Sequence, residues 1–358
     1  MSSKKNTSSA TTTDSDLVRA SRDGDQFHYH WAARHCLSLL PGVSDLVAIS
    51  IEGASAAEGP GSANEGDELI DVGFYFGSES LKDARRVRYV QLKHSTKRVQ
   101  EPWTASGLKN TLEGFSERFA KLRKTFTWEE LKDKLHFTFT TNRPIDEKVT
   151  ESLKDLAEGN TARHSSVAKT LLGYVKGLDS ETANFFMLFS VEAGEPDLWN
   201  QRNLLFNDVR NYLAEADSDA PLQLKELVTK KATSEHASNP SIRRLDVLRA
   251  LGADEADLWP AKCLIAEPTD GAFPREQERE IRTILESATH PVVLHAEGGV
   301  GKSILAWQLS RSFPDGSVAV LYDCFGNGLY RSSQHFRHRQ KDALPQIANE
   351  LAAQGLCH

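Results

Sequence analysis

Val87-Arg-Tyr-Val-Gln-Leu-Lys-His94 is the stretch that decides the fold of the first half of this chain. β-Branched and aromatic residues alternate with polar ones, which predicts a strand, and two positions apart on a strand means one face, so Gln91 and Lys93 project together. Just upstream, Glu68-Leu-Ile-Asp-Val72 runs on to Phe76 and reads as the preceding strand. It sets the carboxylate of Asp71 inside an otherwise apolar run. Polar turns bound both segments, so they are expected as consecutive strands.

Outward from this pair the elements fall into an α/β order. Leu17, Val18, Phe27, Trp31, Cys36, Leu37 and Leu40 keep helical spacing from about Asp16 to the Pro41-Gly42 stop. Leu46-Val-Ala-Ile-Ser-Ile51 is a strand, followed by a Gly/Ala/Ser/Glu loop from Gly53 to Gly66. Beyond Lys93, Leu108, Leu112, Phe115 and Phe119 predict an amphipathic helix from Ala105 to about Lys124, and Leu135 to Thr141 alternates as a strand. Helices over Asp146–Leu156 and Ser165–Val175, a strand over Phe185–Val191 and a helix over Leu204–Ala214 complete an α/β sandwich spanning 16–216. Residues 1–15, rich in Ser, Thr and Lys, read as a disordered tail. Residues 217–275, charged and punctuated by Pro240, Pro260, Pro268 and Pro274, read as a helical connector.

A second signal lies in His295-Ala-Glu-Gly-Gly-Val-Gly-Lys-Ser303. A strand over Pro291–His295, a Gly-rich turn and a Lys-Ser opening a helix make a cradle for anionic phosphates. Backbone N–H groups of Gly298, Gly299, Val300 and Gly301 would face the anion, Lys302 would neutralise the outer phosphates, and Ser303 would hold Mg²⁺. A nucleoside triphosphate with Mg²⁺ is therefore the expected cofactor here, ATP or another nucleotide, although Ala296 stands where the strict pattern has Gly. A strand over Val318–Tyr322 ends at Asp323, the single candidate for a second Mg²⁺ element, and a helix follows from about Asp342 to Gln354. Only 55 residues follow Ser303, so 276–358 is expected to hold just the start of a nucleotide-binding domain.

Bulk properties bound the rest. The 358 residues carry a net charge of −7, which argues against a globally basic coat while leaving room for a local basic cleft. Cys36, Cys263, Cys324 and Cys357 have no metal-like spacing and point to a reducing compartment. No run approaches the roughly 20 apolar residues of a membrane span, and Met1-Ser-Ser-Lys-Lys5 lacks a signal-peptide core. A soluble, cytoplasmic protein with no membrane partner is expected.

Asp71, Gln91 and Lys93 suit phosphodiester chemistry. Cleavage needs a metal to polarise the phosphate and acidify a water, and a cation to orient the nucleophile. A carboxylate, a second oxygen ligand and a Lys can fill those roles, and Mg²⁺ suits an all-oxygen site that keeps several waters.

With Arg22-Asp-Gly-Asp-Gln-Phe27, Ile51-Glu52, Ile70-Asp71 and Gln91-Leu-Lys93 in this order, the chain resembles the PD-(D/E)xK nuclease superfamily, in its Mrr-like and CBASS-type double-stranded DNA endonuclease branch. The resemblance implies a restriction-endonuclease-like α/β sandwich. It makes Asp71 the main metal ligand, has Gln91 and the Leu92 carbonyl complete the shell, gives Lys93 the attacking water, and offers Glu52 as an additional acid. Asp25 and Gln26, near the opening of the first helix, are weaker candidates, and His94 is assigned no role. Gln91 departs from the acidic residue of the superfamily's name and lowers the negative charge of the site.

The second half resembles the antiviral STAND NTPases (Avs) of prokaryotes, through Glu297-Gly-Gly-Val-Gly-Lys-Ser303, Tyr322-Asp-Cys-Phe-Gly-Asn-Gly-Leu-Tyr-Arg331 and Ala348-Asn-Glu-Leu-Ala352. The resemblance implies that a C-terminal sensor, absent from these residues, recognises a phage protein. Recognition then drives a tetramer-like homo-oligomer, and the effector cuts double-stranded DNA. A nucleotide-binding switch whose nuclease-like domain binds DNA or a partner without cleaving remains the alternative. An NTP-driven restriction enzyme would need helicase motifs that the residues after Ser303 do not show.

Overall fold

The computed structural model describes residues 14–41, 44–58, 69–213, 216–258, 273, 275–325, 338 and 340–356. Helices α1 (Asp14–Cys36), α2 (Lys109–Arg123), α3 (Trp128–Leu131), α4 (Glu147–Glu158), α5 (Ser165–Leu172), α6 (Thr182–Leu188), α7 (Leu198–Tyr212), α8 (Ala220–Lys231) and α9 (Arg244–Leu251) surround strands β1 (Leu46–Ile51), β2 (Val72–Phe76), β3 (Arg86–Lys93), β4 (Leu135–Thr141), β5 (Phe189–Glu192) and β6 (Ser241–Ile242). The fold is mixed α/β, built on one sheet of order β5-β4-β3-β2-β1-β6. The pairs β6–β1, β1–β2 and β2–β3 are antiparallel, whereas β3–β4 and β4–β5 are parallel. The parallel half requires crossovers, and α2 with α3 provides the one from β3 to β4.

Each face of the sheet has its own cover. Tyr75, Tyr89 and Phe137 join Leu112, Phe115 and Phe119 of α2 and Phe185 of α6 in one aromatic core. On α1, Phe27 and Trp31 are fully buried, and Trp31 meets Phe74 of β2 edge-to-face. Arg34 of α1 ties this helix to α7 through Asp208 and Gln201.

Several elements differ from expectation. The run predicted as a strand over Phe185–Val191 is helix up to Leu188 and strand only from Phe189. A continuous apolar run carries no period that separates a buried strand from a buried helix. The helix expected from Leu204 begins at Leu198, where the Asp197 carboxylate accepts from the Asn200 N–H as its N-cap. Part of the stretch read as connector joins the sheet instead: β6 pairs with β1 through Ile49 and Ile242, and the compact unit extends to Asp254.

A second unit runs from Glu255 and contains α10 (Glu276–Ser287), α11 (Lys302–Ser310) and α12 (Gln340–Ala353). The strands expected over Pro291–His295 and Val318–Tyr322 make no ladder among the described residues. Val293 is 87% exposed there, so among the described residues the apolar run is not a buried strand. The expected tail over 1–13, most of the Gly53–Gly66 loop, Cys263, Cys357 and 326–331 of the Tyr322–Arg331 motif lie outside the described residues. No described helix is long and apolar enough to cross a membrane.

Candidate functional site

The sheet brings the expected carboxylates together at one end. Glu52 N–H donates to the Asp71 carbonyl at 2.9 Å and Asp71 N–H to the Val90 carbonyl at 3.0 Å, each continuing its ladder past the strand end. Glu52, just past the end of β1, and Asp71, just before β2, thus stand in line with Gln91 of β3. Glu52 takes a positive φ of 53°, the one non-glycine residue to do so among those described, and Gly53 follows at 139°. This backbone turns the chain sharply out of β1 and holds a carboxylate at the turn. Strain of this kind at a side chain of charged type marks a site worth reading for chemistry.

Asp71 is buried, and its Oδ2 accepts from the Leu92 N–H at 2.5 Å. His28 from α1 completes the cluster. Its Nδ1 lies 4.0 Å from Asp71 Oδ1, and ligand atoms of His28, Glu52 and Asp71 all lie within 4.8 Å of one another. His28 was not foreseen, since it stands in a helix whose other residues read as core or solvent face. Its spacing of three from Asp25 was the available signal, placing both on one side of α1. Asp25 itself is no helix cap: α1 begins at Asp14, and the charge of Asp25 is felt by His28, Tyr29 and Glu52.

Electrostatics bind these groups into one site. Burial pushes the Asp71 carboxyl up to about 6, against the opposing pull of Lys93 and the Leu92 N–H. Glu52, open to solvent on one side, is raised to about 7 by the protein packed around it and then by the charges of Asp71 and Asp25, with Lys93 opposing. His28 falls to about 4, first through burial and then through Lys93, while a hydrogen bond to the Leu92 backbone pulls the other way. All three groups sense the charge of the Lys93 ammonium. Two carboxylates and a neutral imidazole offer ligand atoms that could hold a divalent cation once the carboxylates are ionised.

Gln91 behaves differently from its partners. It is 1% exposed, and its Oε1 accepts a short hydrogen bond from Thr111 Oγ1 of α2. The amide braces the strand end against α2, while the Leu92 backbone engages both Asp71 and His28.

A buried network anchors the segment that leaves Glu52. Glu58 accepts from Tyr75 OH and Tyr89 OH at 2.6 Å each and from Arg118 Nη2 at 2.5 Å. Ser55 N–H donates to Tyr75 OH at 2.7 Å, so residues 55–58 are fastened to β2, β3 and α2. No local pattern foretells this network, since Glu58 sits in a polar loop and its partners lie 17 to 60 positions away.

In the second unit, Gly299 and Gly301 adopt φ of 79° and 86°, and α11 opens at Lys302 with Ser303 in its first turn. Lys302 Nζ donates to the Ala296 and Glu297 carbonyls at 2.8 and 2.7 Å, curling over its own loop. Arg275 donates to the Val300 carbonyl, and a Cβ at Gly301 would lie 2.7 Å from Arg275 Nη2. Gly298 and Gly299 face open space. Asp323 Oδ1 accepts from the Phe325 N–H.

No family model and no curated protein matches this chain. Among solved structures it is similar to the Cap4 SAVED/CARF-domain containing receptor of Moraxella osloensis, at 14% identity, TM-score 0.36, over 67% of this chain and 50% of that one. It is also similar to the receptor of the same description from Acinetobacter baumannii, at 16% identity, TM-score 0.36, over 69% and 52%. The Acinetobacter receptor has also been solved with the cyclic trinucleotide 2'3'3'-cAAA. The chain spans about half the length of these receptors.

Proposed function

We propose that this chain is a divalent-cation-dependent endonuclease acting on double-stranded DNA, joined to a nucleotide-binding regulatory segment. The observation that carries the reading is the convergence of His28, Glu52, Asp71 and Lys93 at the end of three antiparallel strands. A PD-(D/E)xK-type core is the fold that fits this helix, three-strand, helix, strand order.

Asp71, Glu52 and His28 would hold the cation, with Mg²⁺ favoured by the carboxylates and Mn²⁺ better matched to an imidazole ligand. When bound it supplies Lewis acidity and a water of lowered pKa. The chain's own groups do the rest. The Leu92 N–H fixes one oxygen of Asp71 and leaves the other facing His28. Lys93 offsets the charge that grows on the phosphate and orients the nucleophile beside it. Gln91 acts through packing against Thr111 to hold the Leu92-Lys93 segment in place.

Residues 298–303 would take ATP with Mg²⁺, the phosphates displacing Lys302 from the carbonyls it now meets. By the resemblance to antiviral STAND proteins, a phage protein bound to a sensor outside these residues would trigger oligomerisation and cutting. The reading without cleavage, in which the site only docks DNA or a partner, draws on one observation: the Gln91 oxygen is engaged by Thr111.

Nicking of supercoiled plasmid in Mg²⁺ or Mn²⁺ separates the two. Asp71→Asn and Lys93→Ala are each expected to lower the rate by about 10²-fold or more. Unchanged nicking in both variants would refute the assignment.

A further inference from the structure

A cavity of about 440 Å³ opens beside the cluster, between α1, the segment leaving β3 and the start of α7. Its wall includes His94, the residue after Lys93, and Gln26, two residues before His28. The elements that build the cation cluster therefore also build this cavity. His94 is held in place by stacking on Phe27, ring centroids 4.6 Å apart, and its Nε2 is shut off from solvent with no hydrogen-bond partner. Trp199 also lines the cavity and is 65% exposed. The Arg202 guanidinium lies 5.9 Å from its ring centroid.

We propose that this cavity receives one nucleotide unit, with its base stacked on Trp199 and its phosphate on Arg202. This deepens the endonuclease reading and rests on it for the link to DNA. An exposed indole offers a stacking face that suits any base, and a guanidinium fork suits a phosphate. Asp23 and Asp197 also line the cavity, so a polyphosphate would meet more repulsion than a single phosphate, whose charge the Arg202 guanidinium can offset. The volume falls in the range of small-ligand sites, about 300–1,000 Å³, and is too small for a base pair with its backbones.

The nucleotide could be splayed from the DNA backbone or be a free mononucleotide, and two binding arms distinguish the sources. Both use the full chain carrying Asp71→Asn and Lys302→Ala, so that neither cleavage nor the phosphate loop contributes. In the first arm, a duplex with a central mismatch is compared with its matched form, because a mismatched base leaves the stack most readily. In the second, dAMP and dTMP are titrated calorimetrically. A DNA subsite predicts mismatch preference, and a free-nucleotide site predicts mononucleotide binding. In either case Trp199→Ala weakens the interaction about tenfold and Trp199→Phe restores it. No effect of Trp199→Ala in either arm overturns the proposal. Because the readout is binding, a failure of the cavity stays separate from a failure of the nuclease assignment.

Discussion

Glu52 is where local strain and chemistry meet. A left-handed backbone costs an ordinary residue about 1–2 kcal/mol, and a glycine relieves that at an entropic cost of about 0.5–1 kcal/mol. Glu52→Gly is thus expected to leave thermal stability equal or slightly higher while abolishing cleavage and weakening Mn²⁺ binding, as calorimetry and plasmid nicking would show. A marked fall in melting temperature would mean that Glu52 serves the fold instead. The pH response follows from the same groups. Asp71 and Glu52 bind their protons more tightly in the folded state, so their contribution to stability is fully present below the unfolded carboxyl values and is lost as pH rises through about 6 and about 7. His28, kept neutral in the fold, acts in the opposite sense, its contribution being lost as pH falls below 6.5 toward about 4. A cation that needs both carboxylates ionised must displace their protons in acid. The rise in melting temperature on adding MnCl₂ should accordingly be at least twofold larger at about pH 8 than at about pH 5.5. An equal rise at both would place the cation elsewhere.

At the scale of elements, the strands carrying Asp71, Gln91 and Lys93 were legible because alternation and an out-of-place carboxylate are local signals. His28 was not, since its meeting with Asp71 depends on how α1 docks across the sheet. Likewise β6 is two residues long and acquires meaning only from its partner β1. The Glu58–Arg118 pair is another such long-range feature, with side chains 4% and 1% exposed. Removing one partner of a buried ion pair leaves an uncompensated charge, so Arg118→Met should cost about 3 kcal/mol or more. Arg118→Met combined with Glu58→Gln should recover a good part of that in chemical denaturation. If the double substitution is no more stable than the single, the network does not hold the segment leaving Glu52 in the way described.

For the whole molecule, the sequence divided more finely than the structure does. A sandwich ending near residue 216 and a separate connector were expected, yet α8, β6 and α9 belong to the unit that ends at Asp254. Charge and proline content describe a segment's solvation, not its packing partner, so they carried no sign that α8, β6 and α9 belong with the first unit. The Gly-rich turn and the helix opening at Lys302 were legible, because turn chemistry is local, and Gly299 and Gly301 there take positive φ. The flanking strands were not legible, since Val293 and its neighbours stand exposed. Clustering of protomers is the molecular-scale condition under which paired sites could cut both strands. The most direct test is therefore plasmid cleavage by the 358-residue chain in MnCl₂, free in solution and after crosslinking into oligomers. The account predicts nicking by the free chain, linear product after clustering, and loss of both with Asp71→Asn. Absence of any cleavage from the clustered wild-type chain, or cleavage that survives Asp71→Asn, would contradict it.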